Sequence, residues 1–300
     1  MMIKVGFAIP CVYENFLINK ILILLLEEHP EYFYENIQID AIFGNFPYCI
    51  WDGGRKFNKY THATLEEIEE IRNFYNSHNI PLRFIYTNTE ITKDNLNDRF
   101  CNLVTELCEN ELNEIVINSS ILEEYIRTNY PKYKIISSTT KCLNNIEKTI
   151  NELNKNYYRV CLDYNLNYNL NFLKSLSNDQ KEKVELLVNA TCGINCLNRN
   201  KHYKLNSISA LNYGKDYALD FCNLKGRHLY PCEPRLTGAI PIDDILTTYK
   251  DLGIMHFKLE GRSNTPLLHI LNIIRFLIKP EYQLFVISII YNKFEKESDL

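Results

Sequence analysis

Four cysteines share one stretch of the chain, Cys192, Cys196, Cys222 and Cys232, with 3, 25 and 9 residues between successive members. Thiolates are soft ligands, so such a set suits zinc or an iron–sulfur cluster, and metal binding would order the segment that carries it. Zinc knuckles favour two residues between paired cysteines, so the three between Cys192 and Cys196 weigh against a structural four-cysteine zinc site. The same spacing opens a radical-SAM signature, but Arg199 stands where the third ligand would have to be. Cys49, in Phe46-Pro47-Tyr48-Cys49, is an alternative ligand. Cys11 is read as a non-ligand, and Cys101, Cys108, Cys142 and Cys161 lie in apolar patterns and read as small buried hydrophobes.

A second constellation is Lys258-Leu259-Glu260-Gly261-Arg262. Glu260 can act as acid, base or orienting acceptor, and Arg262 can clamp an anionic group; the competing reading is an internal ion pair. Asp52-Gly53-Gly54-Arg55 reads as a substrate-binding or a plain solvated turn. Ser137, Ser138 and Cys192 have no adjacent histidine motif, and no H-E-x-x-H occurs.

The elements that must position these residues alternate. Strand-like runs are Val5–Ile9, Ile39–Phe43, Leu82–Tyr86, Glu114–Ile117, Lys134–Ile136, Arg159–Leu162, Val184–Val188 and Ile254–Leu259. Helical spacing covers Glu14–Glu28, Thr64–His78 behind a capping box, Asp94–Glu109, Ile121–Thr128, Leu143–Leu153, Leu170–Leu176 and Pro266–Ile278. Eight such units predict a single TIM-like (β/α)8 barrel domain over residues 1–300. An open doubly wound sheet shows the same alternation but calls for a glycine-rich phosphate turn, and neither G-x-G-x-x-G nor a P-loop occurs. From Ala190 to Met255 the rhythm breaks for 65 positions. An insertion over residues 191–250, between strands seven and eight, therefore carries the cysteines on the face where barrels build active sites. Asn88, Asn118, Ser138, Asp163 and Asn189 end other strands and give that mouth a polar lining.

The 300 residues include 46% hydrophobic and 23% charged, which excludes a disordered or fibrous chain. Lys+Arg 33 against Asp+Glu 37 leaves −4, so DNA is not an expected partner and RNA is mildly disfavoured. The apolar runs are too short for a membrane span, and Met1–Gly6 runs straight into a strand without a leader pattern. Cytoplasmic localisation is expected, where ten cysteines would remain thiols rather than a disulfide framework.

Phe257-Lys258-Leu259-Glu260-Gly261-Arg262 resembles the K-[IL]-E-G-R segment of the collagenase-like peptidase family (peptidase family U32). Ile136–Thr140 with Asn144 resembles the family's Ser/Thr-rich turn, Tyr158–Leu162 its sixth strand, and Val184–Asn189 the strand before its cysteine loop. The resemblance touches most of the chain from Ile39 to about Arg275. It implies a TIM-like barrel with a [4Fe-4S] cluster on Cys192, Cys196, Cys222 and Cys232, or on Cys49 with three of them. The family's common S-G-R-C is replaced here by Thr191-Cys192-Gly193-Ile194-Asn195-Cys196. The implied function is an enzyme or enzyme subunit, with a possible partner subunit, for oxygen-independent hydroxylation of RNA or a small molecule. Peptidase activity is the alternative, and a non-catalytic protein with a structural zinc site is a third reading.

Overall fold

The computed structural model describes residues 4–55, 61–190, 192–214, 239–262 and 264–298. Eight parallel strands close in sequence order into one barrel: β1 (Val5–Pro10), β2 (Ile37–Gly44), β3 (Leu82–Tyr86), β4 (Glu114–Ile117), β5 (Lys134–Ser137), β6 (Arg159–Cys161), β7 (Val184–Leu187) and β8 (His256–Lys258). The ring closes through β1 and β8, with Gly6 opposite His256 and Ala8 opposite Lys258. This is the expected (β/α)8 fold, and every strand boundary falls within two residues of the sequence reading. Among the described residues no helix is long and apolar enough to cross a membrane.

Local chemistry sets the helix ends. Thr64 Oγ1 accepts from the Glu67 amide at 3.2 Å and the Glu67 carboxylate accepts from the Thr64 amide at 2.7 Å, the reciprocal pair that starts helix Leu65–Ser77. The single helix expected over Asp94–Glu109 is instead split. A 3-10 turn, Lys93–Asn97, gives way to helix Arg99–Leu107 because the Asp98 carboxylate caps a new start, accepting from the Cys101 amide at 2.8 Å. The expected helix over Leu143–Leu153 begins at Ile146, behind an Asn145 cap.

Side chains two apart on a strand share a face, so the inward residues form tiers. The lowest tier is charged: Arg83 on β3 bonds Glu114 on β4 at 2.5 Å and pairs across the barrel with Glu185 on β7. Alongside, His256 donates through Nδ1 to Asp40 at 2.6 Å, with Arg159 3.6 Å from the same carboxylate. Burial would raise the Asp40 pKa, but the His256 hydrogen bond, together with His256 and Arg159 charge, brings it down to about 2. The middle tier is apolar, with Ala8, Ala41, Phe43, Ile85, Val116 and Ile136 in one cluster; Lys258 enters at the same level. The upper tier holds Thr87, Ser138 and Glu260 at the cavity mouth.

The segment between β7 and β8, expected as a long loop, contains a 13-residue helix, Arg199–Leu211, and a helical turn Ile242–Asp244 that runs into a π-helical turn at Ile245–Tyr249. The helix escaped a periodicity reading because its buried face is largely polar: Arg199, Asn206, Ser207 and Ala210. The chain returns to the barrel where the Ile240 amide donates to the Val188 carbonyl at 2.7 Å.

Candidate active site at the barrel mouth

Two motifs that lie far apart in sequence clasp each other across the strand ends. Arg262 Nη1 donates to Asp52 Oδ1 at 2.7 Å and its Nη2 to the Gly53 carbonyl at 2.8 Å, while Arg55 pairs with Glu260. Each carboxylate–guanidinium pair therefore takes one member from Asp52–Arg55 and one from Glu260–Arg262. Glycine is required in both segments. A Cβ on Gly53 would collide with the Thr87 backbone, and Gly261 has φ +150°, with a Cβ there only 2.7 Å from Asn264 Nδ2.

Glu260 is held through its backbone. Asn189, at the end of β7, accepts from the Glu260 amide at 2.5 Å and donates to the Glu260 carbonyl at 3.0 Å, and Asn272 donates to that carbonyl at 2.7 Å. This bidentate grip makes Asn189 a positioning residue, a role beyond the mouth lining expected of it. Other polar strand ends tie neighbouring loops together. Asn118 donates to Thr140 at 2.9 Å, Asn88 to the carbonyls of Ile50 and Ser207, and Ser119 caps the next helix.

Helix Arg199–Leu211 lies over the mouth, tied at several points. Its first residue, Arg199, makes a two-toothed ion pair with Asp163 at the end of β6 and stacks 4.6 Å from the Tyr164 ring centroid. Further along, the Ser207 hydroxyl accepts from the Thr89 amide at 3.0 Å and the Ser207 carbonyl from Asn88. Beneath it a cavity of about 60 Å³ is lined by Lys258, Glu260, Arg262, Arg55 and Tyr203 together with Thr87, Thr139, Thr140 and the apolar tier. Sequence patterning did not single out Tyr203, and Lys258 was noted there without a role.

Cys192 and Cys196 sit on the turn that leads from β7 to this helix, both half-buried. The Cys196 amide donates to the Gly193 carbonyl and the Cys196 carbonyl accepts from the Arg199 amide, each at 3.3 Å. Cys222 and Cys232 lie outside the described residues. Two soft donors on a turn beside the mouth suit one edge of a zinc or iron–sulfur site. Among the described residues no group of three or more His, Cys, Asp or Glu side chains gathers to hold a metal. The alternative ligand Cys49 is buried in the core, where the Cys101 thiol donates to its sulfur at 3.6 Å. Cys11 is also buried, its thiol donating to the Gly261 carbonyl at 3.6 Å and pushed up to about 12 by burial. Cys142, read as a buried hydrophobe, stands instead at the mouth, half-buried in a left-handed turn (φ 54°) facing Arg199.

Fold and site together define a (β/α)8 protein whose charged, helix-covered site lies at the carboxyl ends of the strands, where barrel enzymes place their chemistry. Among solved structures the chain is similar to the U32 peptidase Mk0906, with a TM-score of 0.53 and 15% sequence identity over 87% of this chain and 93% of that one. At that identity the likeness is one of fold. No family model matches the sequence, and no curated protein matches it.

Proposed function

We propose that this protein is an enzyme acting at the barrel mouth on a small molecule, or on one protruding group of an RNA, in an oxygen-independent hydroxylation. The observation that carries the reading is the clasp of Glu260 and Arg262 with Arg55 and Asp52 over a covered cavity. Cys192, Cys196, Cys222 and Cys232 would hold a [4Fe-4S] cluster, which supplies one-electron transfer or an electrophilic iron when bound. An anionic group entering the cavity competes for the Arg55 guanidinium, and the Glu260 carboxylate it displaces is then placed to take a proton from the substrate. Asn189 keeps that carboxylate aligned through the Glu260 backbone. The helix Arg199–Leu211 places Tyr203 against the cavity, and the water that this side chain displaces there strengthens each of these interactions. A cavity of about 60 Å³ suits a short functional group rather than a polymer backbone.

Peptide hydrolysis fits the described residues less well. Ser137 donates to Glu152 at 2.6 Å and Ser138 shares a hydrogen bond with Thr140 at 2.8 Å, so neither hydroxyl has a histidine partner there. Anaerobic purification with iron, sulfide and zinc analysis tests the proposal. Iron with broad visible absorption, lost in Cys192→Ser and Cys196→Ser, is the expected result. Colourless protein with one zinc would assign a structural site instead. Casein hydrolysis abolished by Glu260→Ala would make the protein a peptidase.

A further inference from the structure

Among the described residues, the charged side chains buried in and around the barrel make direct ion pairs, with one exception. Arg83 has Glu114 and Glu185, Arg159 has Asp40, Arg199 has Asp163, Arg262 has Asp52, and Glu152 has Lys141. Lys258 is buried at the end of β8, and among the described residues its ammonium has no hydrogen bond and no ion pair. Its neighbour is the face of Phe43, whose ring centroid lies 4.1 Å from Nζ. It enters the barrel interior among Phe43, Ile85, Val116 and Leu187, and with them it lines the cavity beneath the mouth helix. Glu185, in the tier below on the adjacent β7, attracts the ammonium without reaching ion-pair distance, so no carboxylate of its own tier holds it and it is left facing the cavity.

We infer that Lys258 is a reactive amine that binds small aldehydes or ketones covalently, as an imine, in the barrel-mouth cavity. In the step, the neutral amine nitrogen bonds to the carbonyl carbon. Two amine protons and the carbonyl oxygen then leave together as water, with no oxidation or reduction. Glu260 lines the same cavity and relays the proton from nitrogen to the departing oxygen. Arg55 and Arg262 border the same space and favour carbonyl compounds that carry a carboxylate, which makes a short 2-oxo acid the best-matched class. About 60 Å³ accommodates a few heavy atoms beyond the carbonyl, so longer chains are excluded. Burial also pushes the Lys258 ammonium down to about 8 against the opposing pull of Cys161 and Glu185, which leaves a usable fraction of free amine near neutral pH. This inference does not rest on the cysteine loop or on any cluster, and it stands or falls separately from the hydroxylation reading.

The test uses the full chain as purified, incubated with pyruvate and sodium borohydride at pH 7.5 and then peptide-mapped by mass spectrometry. Borohydride supplies hydride to the imine carbon and fixes the adduct as a secondary amine. At pH 7.5 the free-amine fraction of Lys258 is roughly 200-fold that of an ordinary lysine, and after allowance for the lower nucleophilicity of the weaker base, trapping at least about tenfold faster than at the average surface lysine is expected. Cyanate, a smaller amine reagent, should show the same preference. Modification spread evenly over exposed lysines, with Lys258 no faster than they are, would overturn the inference. Lys258→Met should remove the dominant adduct; because the wild-type map decides the question by itself, a variant that fails to fold does not affect the result.

Discussion

Replacing Arg83 by Met tests the electrostatics that hold the barrel's lower tier together. Arg83 is fully buried, and its removal leaves two buried carboxylates behind. Glu114 retains Arg159 at 3.9 Å, so the loss falls on Glu185, whose Oε1 already has no hydrogen-bond partner among the described residues. In the native protein burial favours protonation of Glu185, but Arg83 and Lys258 outweigh it and hold the carboxyl below its ordinary 4.5. Without Arg83 the cheapest response is protonation, which at pH 7 costs about 3.4 kcal/mol for a group of ordinary pKa 4.5. With lost packing the expected destabilisation is about 3–5 kcal/mol, the range seen when one partner of a buried ion pair is removed. At pH 5 the same protonation costs only about 0.7 kcal/mol. In the variant the folded pKa of Glu185 lies above its unfolded value, so the variant gains stability as pH falls towards 4.5 while the native protein does not. Urea midpoints and slopes at pH 7 and pH 5 provide the measurement. A difference below about 1 kcal/mol at pH 7, or one that is equal at both pH values, would refute the reasoning.

Arg199→Ala should release the mouth helix rather than unfold the barrel: amide exchange over residues 199–211 is expected to accelerate about 100-fold, corresponding to ~3 kcal/mol, while strand amides keep their protection. His269 is buried, donates from Nε2 to Asn19 at 2.9 Å and leaves Nδ1 without a hydrogen-bond partner among the described residues, and burial pushes it down to about 3. Its folded pKa lies below the ordinary 6.5, so its contribution to stability is complete above that value and drains away as pH falls from 6.5 towards 3. Denaturation midpoints of His269→Gln should therefore fall less steeply over pH 6 to 4, by about 1.4 kcal/mol per pH unit; parallel curves would show that His269 does not titrate with unfolding.

The strands were legible because each needs only a short run of inward and outward alternation, and that signal survives even where the inward residue is charged, as in Leu82–Tyr86 with Arg83 and Val184–Leu187 with Glu185. The split of Asp94–Glu109 at Asp98 was less visible, since an aspartate inside a helical pattern declares itself a cap only through the amide it accepts from. The helix Arg199–Leu211 was missed for a related reason: it docks through Arg199 and Ser207, which satisfy polar partners on the β6 and β3 loops instead of burying an apolar stripe.

By itself the sequence determined the eightfold alternation, the insertion before the last strand, and the placing of Glu260, Arg262 and the cysteine turn at the strand ends. Local periodicity and chain order suffice for that, because in a parallel barrel every strand end faces the same way. Tertiary structure alone decided the partners. Asp52 meets Arg262 across 210 positions, Glu260 meets Arg55, and Cys49 turns towards Cys101 in the core. It also decided that Lys258 would stand beside Phe43 without a direct ion pair among the described residues. Pairing of charges and isolation of an amine depend on distances through space and on which neighbours exclude water, and neither is written in the spacing of residues along the chain.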